Sequence, residues 1–90
     1  MIRKRYSFYG RVQGVGFRHT AVRVASALGI TGWVRNERDG SVSMEAQGSE
    51  AALSKLVTTI KEGSYIRIER VMSEDLPLVE SEKGFGVKWV

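Results

Sequence analysis

The segment Gln13-Gly14-Val15-Gly16-Phe17-Arg18 places two glycines and an arginine within six residues. It follows an alternating, strand-like stretch and precedes one with helical periodicity. Such an arrangement suits a phosphoryl group. Glycines let consecutive backbone N–H groups turn inward around an anion without Cβ clashes. A helix beginning next to the loop adds its unpaired N–H groups and the positive end of its dipole. Arg18 adds a planar fork that grips two phosphoryl oxygens at once. No lysine-plus-hydroxyl pair follows, as a nucleoside triphosphate loop requires, so a small phosphoryl group is expected rather than a nucleotide with magnesium. A second dense segment, Gly32 to Val42, carries Asn36 near a strand end. Its amide donates through NH₂ and accepts through the carbonyl oxygen, as needed to hold one water beside a phosphoryl group.

The elements that must position these groups are legible in the periodicity. Residues 2–12 alternate, with Ile2, Tyr6 and Phe8 on one face and Arg3, Arg5, Ser7, Tyr9 and Arg11 on the other, which predicts a strand with one wet face. Residues 18–28 switch to a helical period through Ala21, Val24, Ala25 and Leu28, with Gly29 as the stop. Residues 31–36 and 41–47 read as strands joined by an Asp39-Gly40 turn. Ser49 is a good N-cap. Leu53, Leu56, Val57 and Ile60 mark a second helix, closed by Lys61 and Gly63. Residues 64–72 predict a fourth strand and Glu74 to Gly84, with the only proline, Pro77, a loop. Phe85, Val87 and Trp89 alternate with Gly86, Lys88 and Val90 in a short last strand. The expected fold is α+β: a ferredoxin-like βαββαβ sandwich, an antiparallel sheet with two helices on one face and a short extra C-terminal strand.

Composition narrows the function. Ninety residues make one domain, 1–90. The absence of cysteine excludes disulfides and thiol chemistry, and a single histidine disfavours a histidine-based metal cluster. The apolar runs are too short to cross a bilayer. The start, Met1-Ile2-Arg3-Lys4-Arg5, lacks the apolar core of a secretory signal. A cytoplasmic monomer is the default. Residues 1–40 hold eight of the fourteen Lys/Arg and only two of the ten acids. The basic half is therefore the half with the glycine loop, and its field attracts small anions or nucleic acid alike.

Gly10-Arg11-Val12-Gln13-Gly14-Val15-Gly16-Phe17-Arg18, followed by Gly32-Trp33-Val34-Arg35-Asn36 and Asp39-Gly40-Ser41-Val42, resembles the acylphosphatase family. The resemblance covers essentially the whole chain in length, element order and motif position. It implies metal-free, cofactor-free hydrolysis of a small-molecule acyl phosphate to a carboxylate and inorganic phosphate. It also implies that Arg18 binds the phosphate, that Gln13, Gly14, Val15, Gly16, Phe17 and Arg18 supply the amide cradle, and that Asn36 orients the attacking water. Two positions depart from the family pattern. Glu37 stands where an uncharged residue is common, and its carboxylate opposes an anionic substrate unless it points away. Lys88-Trp89-Val90 replaces a more usual Arg-Tyr ending, outside both motifs, and is expected to bear on fold detail rather than chemistry.

The remaining conspicuous residues have plainer readings. His19 is a first-turn helix residue beside the site. Trp33 is core or a cover over the sheet edge, Asp39 is turn chemistry, and Arg35 and Arg38 are solvated cations. An RNA-recognition module shares the element order, but its third strand carries aromatics. Here that strand reads Ser41-Val42-Ser43-Met44-Glu45-Ala46-Gln47, with none, so no nucleic-acid partner is expected. Domains of this type also occur in larger carbamoyl-transferring maturation proteins; the length of this chain and the lack of zinc-finger cysteines favour a standalone enzyme.

Overall fold

Apolar residues at every second position of three strands demand a cover, and two amphipathic helices provide it. The computed structural model describes residues 1–89. Its elements are β1 (Ile2–Arg11), α1 (Phe17–Ala27), β2 (Thr31–Asn36), β3 (Val42–Gly48), α2 (Glu50–Lys61), β4 (Arg67–Leu76) and β5 (Phe85–Val87). Tyr6 and Phe8 of β1, Val34 of β2, and Val42, Met44 and Ala46 of β3 face Phe17, Ala21, Val24 and Ala25 of α1 and Leu53, Leu56 and Ile60 of α2, all buried. The stripes expected on both helices are the ones buried, with Leu28 and Val57 at their half-buried margins. Ser49 caps α2 by accepting the Ala52 N–H at 3.1 Å. The β2–β3 hairpin turns at Asp39-Gly40, where the Asp39 carboxylate accepts from the Ser41 N–H and hydroxyl.

The sheet order is β4-β1-β3-β2-β5. The first three neighbouring pairs are antiparallel, which is the ferredoxin-like arrangement. The fourth is not. β5 runs parallel to β2, so the sheet is mixed rather than antiparallel throughout. The physical reason lies in the connection. β4 ends at Leu76, opposite Arg3, at the end of the sheet where β2 begins. The segment 77–84 crosses the sheet there, and β5 starts beside Gly32 and runs with β2. In consequence the C-terminal ends of β1, β2 and β5 all lie at the opposite end of the sheet, next to the N-terminus of α1.

Element boundaries shift most in the last third of the chain. β4 begins later and continues to Leu76, because Glu74 and Asp75 sit opposite Arg5 and Lys4 of β1, and opposite charges across strands support pairing that hydropathy does not signal. The last strand is shorter than the alternation suggests, and the Val90 end of that reading lies outside the described residues. The open face is also less wet than expected. Arg3 is only 3% exposed. Its guanidinium donates to Glu45, Gln47 and Glu82, with a 2.7 Å bond to Glu82 Oε1. Gln47 in turn exchanges two hydrogen bonds with the Val79 backbone. The crossing segment is thus tied down over one end of that face.

This tie has a measurable cost of removal. The hydrogen bond from Arg3 is the chief cause holding the Glu82 carboxyl below its ordinary value of 4.5. A lowered carboxyl stabilises the fold above its unfolded value, and the contribution is lost as the pH falls through the folded value. Arg3→Ala strands the partly buried Glu82 carboxylate, while Glu45 keeps Arg5 as a partner, and is expected to cost about 3 kcal/mol, lowering Tm by roughly 12–24 °C at pH 7. In thermal melts followed by circular dichroism, the gap to wild type should narrow as the pH drops below 4.5. A gap that widened in acid would contradict the assignment.

Candidate active site

The loop after β1 turns through two glycines with positive φ, 72° at Gly14 and 83° at Gly16. A Cβ at either position would meet no protein atom within 4 Å. These glycines therefore serve the backbone path, which L side chains rarely adopt, and not packing. Gly16 is the N-cap of α1 and supplies no side-chain cap. The first intrahelical bond runs from the Thr20 N–H to the Gly16 carbonyl, so the N–H groups ahead of it have no carbonyl one turn back. No acidic residue sits in the first turn. Uncapped N–H groups and the helix dipole favour an anion at this point.

The loop is fixed from both sides. Phe17 opens α1 and is buried against Phe8, ring centroids 4.9 Å apart. Val15 packs half-buried against the core. The Gln13 amide donates to the Glu37 carbonyl at 2.7 Å and to the Ser41 carbonyl at 2.9 Å. It clamps the loop to the β2–β3 turn, immediately beyond Asn36.

Together these elements enclose a cleft of about 390 Å³. Its polar side is formed by Gly14, Gly16, Arg18, His19 and Asn36. Loop and strand end, 18 or more residues apart in sequence, are thus brought together as expected. Gln13 and Val15 do not line the cleft; they brace it. Asn36 Oδ1 is buried and is, among the described residues, the one buried side-chain polar atom without a hydrogen-bond partner. An unpaired buried acceptor costs about 1–3 kcal/mol, and such orphans mark positions where something other than the fold sets the requirement.

Glu37 does not oppose an anion in this cleft. It alternates away from Asn36 onto the open face of the sheet. There its carboxyl is held below the ordinary value, first by a hydrogen bond with Ser43 and also by Arg35, whose Nε lies 2.9 Å away. Arg35 is accordingly half-buried rather than solvated, with its guanidinium also over the Trp33 ring. Trp33 is half-buried on the open face, with Arg5 and Lys88 also against its ring. His19 is exposed in the first turn of α1, as expected, and forms part of the cleft wall.

Trp89 was missed. The other side of the cleft is apolar, formed by Val22, Val87 and Trp89 over the buried Val12 and Phe17. The Arg18 guanidinium carbon lies 4.9 Å from the centre of the Trp89 ring, within range of a cation–π contact. An antiparallel last strand would have carried Trp89 to the far end of the sheet. The parallel β5 delivers it here, so the C-terminal departure from the family pattern lines the same cleft as Arg18 and Asn36. Among the described residues no group of three His, Cys, Asp or Glu side chains is placed to hold a metal ion, and no helix is long and apolar enough to cross a membrane.

One cleft of a ferredoxin-like sandwich thus holds an uncapped helix N-terminus, an arginine and an unpaired asparagine. Comparison with known proteins gives the family. The family model described as acylphosphatase matches residues 4–87. An acylphosphatase of Bifidobacterium longum is 44% identical over 98% of this chain and 93% of its own length. The crystal structure of acylphosphatase from Bacillus subtilis superimposes with a TM-score of 0.89 at 32% identity, covering 98% of this chain and 99% of that one. A full-length HypF, solved in a phosphate- and nucleotide-bound form, matches 98% of this chain over 12% of its own, with a TM-score of 0.83 and 27% identity. The chain belongs to the acylphosphatase family, hydrolases that act on acyl phosphates.

Proposed function

We propose that this cleft hydrolyses acyl phosphates without a metal or cofactor, with Arg18 and the amides of the 13–18 loop holding the phosphoryl group and Asn36 holding the attacking water. The observation that carries the reading is the unpartnered Asn36 Oδ1 in the same cleft as Arg18 and the uncapped N-terminus of α1. A carboxylate is the leaving group and departs without being protonated, so no strong general acid is needed. The work left to the protein is positioning and stabilisation of charge on a loose phosphoryl transition state. Donors fixed in place before the reaction supply that stabilisation most effectively, and Phe17 and Gln13 fix this loop.

The step balances with the groups present. The water, donating one O–H to Asn36 Oδ1, bonds through its oxygen to phosphorus as the phosphorus–acyl oxygen bond breaks. The electron pair leaves with the carboxylate. The water proton passes to a phosphoryl oxygen, giving inorganic phosphate. The test is turnover of benzoyl phosphate in EDTA across a range of pH. Turnover is expected throughout, without a protein base in the pH–rate profile. A break in the profile that vanished on replacing one titratable side chain, His19 included, would contradict the substrate-assisted transfer.

A further inference from the structure

β1 parts from β3 before the cleft begins. Their last pair is Phe8 with Val42, and the register shift at Tyr9/Gly10 involves β1 and β4 alone. From there the chain runs through Val12 into the glycine loop, while Asn36 stays paired with Val42 at the end of β2. The two halves of the proposed site therefore stand on separate elements. Among the described residues no backbone hydrogen bond joins the 12–18 loop to residues 36–42. The link is one side chain. Gln13 Nε2 donates both of its hydrogens across the gap, to the Glu37 carbonyl at 2.7 Å and the Ser41 carbonyl at 2.9 Å. Neither carbonyl depends on it. The Gly40 N–H also donates to the Glu37 carbonyl, and the Glu37 N–H to the Ser41 carbonyl, so the hairpin closes by its own backbone. The Gln13 bonds are surplus to the turn and serve to join it to the loop.

Resting on the acyl phosphate reading, we infer that Gln13 is a positioning residue whose side-chain amide sets the distance between the phosphoryl cradle and the water held at Asn36. Attack on phosphorus requires reacting atoms about 3–3.5 Å apart, and an error of about 1 Å costs about 10²-fold in rate. Asn36 lies one residue before the first clamped carbonyl, and Gly14 one residue after the clamping side chain. A shift of the hairpin against the loop is thus a shift of water against phosphorus. Each half has supports of its own. Phe17 anchors the cradle against Phe8, and the pairing with Val42 anchors Asn36. Gln13 governs the alignment of the two halves and not the shape of either.

The test is a double-mutant cycle on benzoyl phosphate, with kcat, inhibition by inorganic phosphate and circular dichroism measured for wild type, Gln13→Met, Asn36→Ala and the pair. Methionine keeps the length of the side chain and removes the donor. Gln13→Met is expected to lower kcat by about 10–10²-fold. Inhibition by phosphate should stay within about threefold of wild type, the pattern of an interaction realised in the transition state. Added to Asn36→Ala, the same substitution should cost less than about threefold more, because residues that act through one another are not additive. Gln13→Glu, which turns an acceptor toward two carbonyls, should lose at least as much as methionine. Full multiplication of the two losses would overturn the inference, as would a parallel loss of phosphate affinity or an unchanged kcat in Gln13→Met. Unfolding of both Gln13 variants would overturn it too, and make the clamp a folding contact. An Asn36→Ala variant with full kcat would remove the water-holding reading and this inference together. Wild type inactive on benzoyl phosphate would overturn the hydrolase reading itself.

Discussion

Arg18→Ala is expected to lower kcat/KM for an acyl phosphate by at least about 10²–10³-fold, the usual cost of one preorganised donor to developing charge. The loss should appear in phosphate affinity as well, because on the proposed reading the guanidinium meets the phosphoryl oxygens in both ground and transition states. Inhibition by inorganic phosphate measures that part directly. Arg18→Lys should recover little. An ammonium keeps the charge but lacks the planar fork that meets two oxygens together, and it loses the flat surface that stacks on Trp89. Substantial recovery with lysine would mean that Arg18 acts only as a local positive field.

Asn36→Ala should separate binding from chemistry. Its amide sits in the cleft with a buried oxygen that no protein donor reaches, while the cradle of backbone N–H groups and Arg18 is formed by other elements. Removal of the amide is expected to depress kcat by about 10²–10³-fold and leave inhibition by phosphate within about threefold of wild type, the pattern of an interaction realised in the transition state. The fold should not suffer, since the substitution removes an unsatisfied buried acceptor rather than a native hydrogen bond. A parallel loss of phosphate affinity would place Asn36 in the cradle and leave the water without a holder.

The turn through Gly14 and Gly16 into α1 and the place of Asn36 at the end of β2 were legible in the sequence because each is local. A glycine pair between a strand and a helix, and an asparagine at the end of an alternating segment, show their positions within a few residues. The helix stripes were legible for the same reason. Trp89 and Arg3 were not. Their positions depend on which way β5 runs and on where the 77–84 segment crosses the sheet, and neither has a local signature. Arg3 occupies a nominally wet position in the alternation of β1, yet it is buried because a segment nearly 80 residues away returns with Glu82 to cover it. The same reversal of expectation explains β4, whose charged end is held by partners on β1 rather than by hydropathy. Glu37 shows the converse. Its neighbour suggested interference with an anion, but strand alternation sends its carboxylate to the other face, against Ser43 and Arg35.

Hydrolysis of benzoyl phosphate by the wild-type chain in EDTA, run beside a folded Arg18→Ala control, decides whether the Arg18 cleft is a metal-free acyl phosphate hydrolase. Rapid wild-type turnover to benzoate and inorganic phosphate is expected, with near loss of it in the control. Equal turnover in both proteins, or none by a folded wild type, would contradict that assignment.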